Sequence, residues 1–259
     1  MEREVRSAPV LGVILLDYEG YVGEELLCTP DDEVGLGWMP PGHFEHPRSW
    51  GCPVLYRVAT GCTPEASEQA SEDALRGVRE AAHALDGRVD LITADCAYTW
   101  FVREALDGVR TPALTSSLAL LDLARTIGRT VAIISSSGRV LRRLYGPLPV
   151  GVRIIGMESK SEWERYQTYS VDTNPPLDRG LMARQLLERL DEDFAQQGEP
   201  GAVVLECTGL PQFRDVVRQR YGRPILDIAS FVQHLLDAPA PSESLFAPEL
   251  VHVVADSPS

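Results

Sequence analysis

The chain has 259 residues, of which 44% are apolar and 24% charged, a composition that suits a globular protein with a sizeable core. The formal net charge is −14 at pH 7, and this negative field repels phosphates, which argues against nucleic acid or an anionic membrane surface as a partner. The longest apolar run, 9–16, is far shorter than the roughly 20 residues that span a bilayer, so no membrane partner is expected.

The predicted elements alternate between short apolar strands and longer helices along the whole chain. The predicted strands are 10–15, 54–58, 91–93, 113–114, 131–134, 153–155, 203–205 and 225. The predicted helices are 64–84, 99–106, 117–126, 139–144, 178–197, 211–221 and 228–236. Continuous apolar strands, each followed by a helix, indicate an α/β fold with mostly parallel sheets covered on both faces. Ligands of such sheets bind at the carboxyl ends of the strands.

The order of the elements predicts two lobes with a boundary near residues 112–116. We expect lobe 1 to cover 1–113 and to be completed by a C-terminal helix at 225–238, lobe 2 to cover 114–224, and 239–259 to form a flexible tail. The segments 28–51 and 158–180 lack regular patterns but contain aromatic residues, which favours a lid or a subunit contact, and a homodimer is possible.

The most informative feature of the sequence is a pair of similar segments that each contain a cysteine. The segment 90–99 and the segment 202–211 each contain a short apolar strand, an acidic residue, a cysteine and a helix start. This pattern places the thiols of Cys96 and Cys207 at strand ends beside helix N-termini, where partial positive charge favours the thiolate. The carboxylates of Asp95 and Glu206 oppose ionisation if they lie close to the sulfurs, but side chains alternate along a strand and so point in different directions.

Two thiols in matching contexts indicate general acid–base catalysis. If two lobes face each other, one thiolate removes a proton from a carbon and the opposite thiol returns a proton to the other face, which inverts a stereocentre without a cofactor. The alternative is that Cys96 and Cys207 are small buried hydrophobic residues, since free cysteine is often buried.

The two cysteine segments resemble those of the aspartate/glutamate racemase superfamily, which includes amino-acid and hydantoin racemases, maleate isomerase and arylmalonate decarboxylase. The segment from Glu206 to Pro211 resembles the cysteine–threonine signature of the superfamily, whereas the segment from Asp95 to Thr99 departs from its usual cysteine–asparagine–threonine. The resemblance covers roughly residues 10–236. It implies two pseudo-symmetric α/β lobes with the active site in the cleft between them.

The resemblance also implies site residues by position. Cys96 and Cys207 would be the two acid–base groups. The expected substrate-binding residues are Ala97, Tyr98, Thr99, Ser136, Ser137, Thr208 and Gly209. Asp17, at the end of the first strand, is a candidate for binding a substrate amine, and Arg139 is a candidate for binding an anion; for each, a solvated side chain is the alternative.

The predicted function is that of a cofactor-independent racemase or epimerase acting on a small carboxylate compound, such as an amino acid or a derivative. A maleate-isomerase-like cis–trans isomerase or a decarboxylase on the same fold is an alternative, and a non-catalytic two-lobed protein that binds small molecules is another. No metal is expected, because the residues that could bind zinc match no paired ligand spacing: Cys28, His43, His46, Cys52 and Cys62. The chain has no dinucleotide or phosphate-binding glycine motif, and five cysteines without a predicted disulfide framework favour a cytoplasmic location.

Overall fold

A computed structural model describes residues 8–21, 23–36, 39–168 and 176–237 of the chain. These residues divide into two compact units, one formed by 8–115 with 229–237 and the other by 116–228. The predicted tail at 239–259 lies outside the described residues. Within the described ranges, no helix has the length and apolar character needed to cross a membrane.

The first unit contains a four-stranded sheet in the order β2-β3-β1-β4. Its strands are β1 (Leu11–Leu15), β2 (Glu25–Cys28), β3 (Val54–Val58) and β4 (Leu91–Ala94). The strands β3, β1 and β4 are parallel, whereas β2 pairs with β3 in antiparallel fashion at the edge. Every residue of β1 and β4 is buried, as expected for strands covered on both faces.

Two short helices replace the single helix predicted at 64–84. They are α1 (Pro64–Gln69) and α2 (Glu72–Leu85), followed later in the chain by a 3-10 helix at Ala97–Leu106. The break lies at Ala70, whose φ of 47° is left-handed, and the Ser71 side chain then caps α2 by accepting a hydrogen bond from the Ala74 amide. The strand predicted at 113–114 is only a single bridge between Ala113 and Ile92.

The second unit contains a parallel four-stranded sheet in the order β6-β5-β7-β8. Its strands are β5 (Val131–Ser135), β6 (Val152–Gly156), β7 (Ala202–Leu205) and β8 (Ile225–Asp227). Its helices are α3 (Leu121–Gly128), α4 (Gly138–Tyr145), α5 (Ser161–Gln167), α6 (Arg179–Gln197) and α7 (Arg214–Tyr221), with 3-10 turns at Ser117–Leu120 and Pro211–Phe213. The helix α8 (Ile228–Leu236) follows β8.

The two sheets share a local arrangement. In each sheet, the strand that precedes a candidate cysteine pairs in parallel with the first strand of its unit. β4 pairs with β1, and β7 pairs with β5. The prediction of an α/β fold built from two lobes, each with a short and mostly parallel sheet flanked by helices, is therefore confirmed. One assignment differs, because residues 225–227 were placed with the first lobe, whereas they form β8 and pair with β7.

The two segments without a regular sequence pattern are more ordered than expected. In the first, the Phe44 carbonyl accepts hydrogen bonds from the Trp50 indole at 3.0 Å and from the Tyr56 hydroxyl at 3.3 Å, so buried aromatic rings fix the loop. In the second, α5 buries Trp163 against the core, and its indole donates to the Met182 carbonyl. Residues 169–175 lie outside the described part of the chain. A role for either segment as a lid or subunit contact stays a prediction.

Gly77 tests the packing of α2 against the loop that follows β3. A Cβ at this position would lie 2.6 Å from the Thr60 carbonyl oxygen and 2.9 Å from that of Ala59. We expect Gly77→Ala to lower the free energy of unfolding by about 1–3 kcal/mol, although alanine is the better helix former by roughly 1 kcal/mol. Chemical denaturation measures this change. Gly180→Ala in α6 is the control, because its Cβ would meet only side-chain ends, the Asp178 carboxylate at 3.3 Å and the Arg184 guanidinium at 3.6 Å. Equal stability of the two variants would contradict the prediction.

Candidate active site with two cysteine centres

Cys96 lies just after β4, and the 3-10 helix begins at the next residue. Its side chain is partly exposed, and its Sγ lies 3.2 Å from the Oγ of Ser67, a buried residue on α1. Burial raises the pKa of the Cys96 thiol well above its ordinary value, and the charge of Asp95 raises it further. The Ser67 hydroxyl and the Tyr98 amide oppose this effect but do not outweigh it.

Asp95 is buried and turns toward β1. Both of its carboxylate oxygens accept from the Leu16 amide, at 3.0 and 3.1 Å. Burial raises the pKa of Asp95 well above its ordinary value, and the charge of Glu45 adds to this; the Leu16 amide opposes it. Burial likewise raises the pKa of Glu45 to about 7. Burial also raises the pKa of Tyr21, and the charges of Glu45 and Asp95 raise it further. These three groups therefore keep their protons to a higher pH than usual, and Asp95 directly precedes Cys96 in the chain.

Two predicted site residues of the first unit, Asp17 and Thr99, form hydrogen bonds with backbone groups. Asp17 follows β1, and its Oδ2 accepts from the Gly61 amide at 2.7 Å. The Thr99 hydroxyl lies 2.8 Å from the Cys96 carbonyl and 3.0 Å from the Thr115 carbonyl, and Thr99 is only 3% exposed. Thr99 therefore fixes the cysteine loop, which differs from the expected role as a substrate ligand. Ala97 is also buried, whereas Tyr98 is partly exposed beside Cys96.

Cys207 occupies the corresponding position in the second unit, separated from β7 only by Glu206. Its side chain is partly exposed, and the Tyr166 hydroxyl of α5 lies 3.9 Å from its Sγ. Burial raises the pKa of the Cys207 thiol, and the charge of Glu206 adds to the increase. Three donor groups favour the ionised thiol: the Ser136 hydroxyl, the Gly209 amide and the Tyr166 hydroxyl. The second thiol thus has three such donors, whereas Cys96 has two.

Hydrogen bonds of the Gln212 side chain hold the loop that follows Cys207. The Gln212 side chain donates to the Gly209 carbonyl at 2.8 Å, and its own oxygen accepts from the Arg179 guanidinium at 2.8 Å. Gly209 also allows Tyr166 to approach, because a Cβ at position 209 would collide with the phenol oxygen. Thr208, another predicted ligand, is 8% exposed.

At the start of α4, where the sequence predicts residues that bind a carboxylate, a carboxylate of the protein itself accepts from the first amides of the helix. The Glu158 carboxylate already accepts from the amides of Gly138 and Arg139, at 2.9 Å each. The Ser137 hydroxyl caps the same helix by accepting from the Val140 amide. Ser137 and the Arg139 backbone are therefore used within the fold, which differs from the expected binding of a substrate carboxylate. The Arg139 side chain is exposed, and only Ser136 of this loop lies beside a thiol.

Glu206 is the most deeply buried acid of the second centre. It is 1% exposed, and no described residue forms a hydrogen bond with either of its carboxyl oxygens. Burial raises the pKa of Glu206 to about 7, and only the nearby Ser135 hydroxyl opposes the increase. Among the described residues, no cluster of three His, Cys, Asp or Glu side chains could hold a metal ion.

The structure adds residues that no local sequence pattern marks. Ser67 and Glu45 approach Cys96 and Asp95 from segments more than 25 positions away in the chain, and nothing local marks them. Tyr166 belongs to the aromatic segment noted above, which was the one available signal. The sequence did place both cysteines at strand ends beside acidic residues, and the structure agrees.

Solved structures with this fold include a glycine-to-cysteine mutant of arylmalonate decarboxylase in a sulfate-associated form. It superposes with a TM-score of 0.50 at 16% identity, covering 97% of this chain and 95% of the other. The aspartate racemase of Picrophilus torridus superposes with a TM-score of 0.48 at 15% identity, covering 95% of this chain and 99% of the other. The resemblance to the aspartate/glutamate racemase superfamily is thus confirmed at the level of the fold.

The curated proteins whose sequences are similar to this chain are named dimethylsulfoniopropionate lyases. The dimethylsulfoniopropionate lyase of Durusdinium sp. clade D is 30% identical over 220 residues, which are 77% of this chain and 71% of that protein. Dimethylsulfoniopropionate lyase 3 of Emiliania huxleyi is 26% identical over 261 residues, covering 91% of this chain. This chain spans 62% of the length of the latter relative. No family model matches the chain.

The contact between Gly209 and Tyr166 can be tested by substitution. Gly209→Ala places a methyl group where the phenol oxygen lies, so Tyr166 must turn away from Cys207. We expect the alkylation rate of Cys207 by iodoacetamide at neutral pH to fall by about tenfold, the factor that corresponds to one unit of thiol pKa. Tyr166→Phe removes only the hydroxyl and should reduce the rate in the same direction. An unchanged rate in both variants would show that Tyr166 does not support the thiolate.

Proposed function

This chain belongs to the same enzyme family as the dimethylsulfoniopropionate lyase of Durusdinium sp. clade D, and we propose that it too is a lyase, one that releases dimethyl sulfide from dimethylsulfoniopropionate. The observation that carries the proposal is the placement of Cys207, a partly exposed residue after β7, with three donor groups around its sulfur. A base of this kind is what the reaction requires. Membership of an enzyme family argues against the non-catalytic binding protein considered from the sequence.

The proposed reaction is a β-elimination. The Cys207 thiolate takes a proton from the carbon next to the carboxylate, and the electrons of that C–H bond form the new carbon–carbon double bond. The bond from the β-carbon to the sulfonium sulfur breaks, and its electron pair leaves with the sulfur. The products are acrylate and dimethyl sulfide, and the thiol then returns its proton to water. The leaving group departs neutral, so the elimination requires one base and no acid.

Cys207 is better suited to be the base than Cys96. Both thiols have a buried acidic neighbour, but the Cys207 thiolate has the hydroxyl groups of Ser136 and Tyr166 as well as a backbone amide. The pKa of Cys96 lies well above its ordinary value, and its Asp95 neighbour belongs to a cluster with a further buried carboxyl group. The pKa of Cys207 is raised too, but less than that of Cys96, so the Cys207 thiolate forms more readily.

Tyr166 also suits the cationic part of the substrate. Its hydroxyl lies 3.9 Å from the Cys207 Sγ, and its ring packs edge-on against Trp163, with the two centroids 5.8 Å apart. Aromatic faces attract onium groups through their quadrupole, by roughly 0.5–2 kcal/mol. In this proposal the ring contacts the sulfonium group, and the electrostatic cost of deprotonation falls because the positive charge stabilises the developing carbanion.

Racemisation or epimerisation of a small carboxylate compound is the second candidate, and the isomerase class stays a prediction. The specific observation that favours it is the repeat of the thiol arrangement at Cys96, which a single-base elimination does not need. Both reactions begin with removal of a proton next to a carboxylate. They diverge afterwards, because a β-leaving group drives elimination and its absence allows reprotonation. A homodimer and a cytoplasmic location also stay predictions.

Substitution of each thiol tests the proposed function. We expect Cys207→Ala to reduce the release of dimethyl sulfide and acrylate by at least about a hundredfold, the usual contribution of a general base. Cys96→Ala should retain measurable release. Gas chromatography of dimethyl sulfide measures the first product, and circular dichroism verifies that each variant folds. If the wild-type protein releases no dimethyl sulfide at saturating substrate, the lyase proposal is wrong; if only Cys96→Ala is inactive, the base is misassigned.

Deuterated water separates the two candidate reactions. A chiral amino acid or other small carboxylate without a β-leaving group is incubated with the enzyme in deuterated water, and mass spectrometry measures deuterium at the α-carbon. The lyase proposal predicts no loss of optical activity on chiral chromatography. The racemase candidate predicts that deuterium uptake and loss of optical activity proceed together, and that Cys96→Ser and Cys207→Ser each stop the reaction. No loss in either variant would exclude the two-thiol scheme.

A further inference from the structure

Glu206 is a buried carboxyl group to which the elimination assigns no role. It lies between the last residue of β7 and Cys207, and its backbone amide donates to the Ile134 carbonyl at 2.9 Å, which continues the sheet by one more residue. Because side chains alternate along an extended chain, Glu206 points into the protein, whereas Cys207 stays partly exposed. The two ionisable groups are therefore neighbours in the chain with opposite access to solvent.

The surroundings of Glu206 do not support a negative charge. Both carboxyl oxygens are buried without a hydrogen bond from any described residue, and no cationic side chain is among the groups that shift its pKa. The Ser135 hydroxyl, at the end of β5, lies nearby without completing a hydrogen bond. An ionised carboxyl with no donors is costly in a protein interior, and such a group keeps its proton instead.

Glu206 and Cys207 are coupled because each disfavours the charge of the other. The groups that face Cys207 are Ser136 from the loop after β5, Tyr166 from α5, the Gly209 amide and Glu206 itself; among them only Glu206 brings a charge. Two neighbouring acids of this kind release their protons in two steps that belong to the pair. The carboxyl of Glu206 loses its proton first, because burial raises its pKa only to about 7, whereas the pKa of the Cys207 thiol is raised above its ordinary value.

We propose that Glu206 is a positioning residue that controls the ionisation of Cys207 from the core: while its carboxyl keeps a proton, the donors around the Cys207 sulfur can favour the thiolate. When Glu206 ionises, the thiolate is suppressed. Glu206 acts only through Cys207 and does not touch the substrate. The importance of this device for turnover rests on the proposed function, but the ionisation of Cys207 can be measured without any substrate.

The test is the pH profile of Cys207 alkylation by iodoacetamide in wild type and Glu206→Gln. Glutamine has the shape of the protonated acid and cannot ionise, so the midpoint of the Cys207 profile should move to lower pH. The alkylation rate at a fixed pH just above neutrality should rise by about tenfold, the factor that corresponds to one unit of thiol pKa. Trypsin separates the two thiols for mass spectrometry, since Cys207 lies in the peptide 190–214 and Cys96 in the peptide 89–103.

Three comparisons control this experiment. The Cys96 peptide of the same sample should keep its wild-type profile. Glu188→Gln removes an exposed carboxylate of α6 and should leave Cys207 unchanged, which accounts for net charge. Ser135→Ala removes the hydroxyl that favours the ionised form of Glu206, and its Cys207 midpoint should also move to lower pH. This variant keeps the inference testable if Glu206→Gln does not fold. Glu206→Asp retains an ionisable group and should keep a profile nearer to that of the wild type.

An unchanged or raised Cys207 midpoint in folded Glu206→Gln would overturn the inference, as would equal shifts in Glu206→Gln and Glu188→Gln. The result is independent of the lyase assay. A lowered midpoint in a protein that releases no dimethyl sulfide would support the role of Glu206 and contradict the proposed function, whereas activity with an unchanged midpoint would do the reverse.

Discussion

Each candidate thiol of this protein is preceded in the chain by a carboxyl group that the alternation of an extended backbone directs into the core. Two negative charges so close together, in a medium that solvates neither well, cannot both form near neutral pH. Each centre therefore retains a proton, and the donors around the sulfur and the carboxyl decide which atom keeps it. The chemistry open to each cysteine follows from this competition more than from the cysteine itself.

The polar groups around the thiol and the acid differ between the two centres, although the sequences of the two segments are similar. At the first, the Asp95 carboxyl accepts from the Leu16 amide, and the buried carboxyl of Glu45 raises the pKa of Asp95, so two acids that tend to keep their protons lie on this side. At the second, Glu206 has no hydrogen-bond partner among the described residues, and the donors gather around Cys207. The similar backbone arrangement thus supports one thiol that keeps its proton more firmly and one that releases it more readily.

This asymmetry helps to relate a racemase-like fold to relatives that are lyases. Removal of a proton next to a carboxylate is the step common to racemisation and β-elimination, and a strand-end thiol can serve in either. What differs is the fate of the resulting carbanion: a second proton donor returns it to a carboxylic acid, whereas a leaving group on the β-carbon converts it to an alkene. A single effective base suffices for the latter. In the proposed reaction the thiol carries out the first step, and the substrate determines the outcome.

Features that depend on residues close together in the chain could be predicted from the sequence. Buried parallel strands such as β1, β5 and β7 appear as continuous apolar runs, and the position of each cysteine after its strand is visible in the order of residues. The short edge strand β2 was missed because its four residues are mostly not buried, and the left-handed break at Ala70 has no glycine to mark it. Local sequence patterns therefore predict the main strands and the positions of the two cysteines.

The polar groups that surround each thiol could be identified only in the folded chain. The Glu158 carboxylate accepts from two amides at the start of α4 from a position 19 or 20 residues away, so these amides are used within the fold. Ser67 reaches Cys96 from a different helix, and Tyr166 reaches Cys207 from α5. Hydrogen bonds and charge interactions act across space between distant parts of the chain, so their partners, and with them the acidity of each thiol, are set only when the chain has folded.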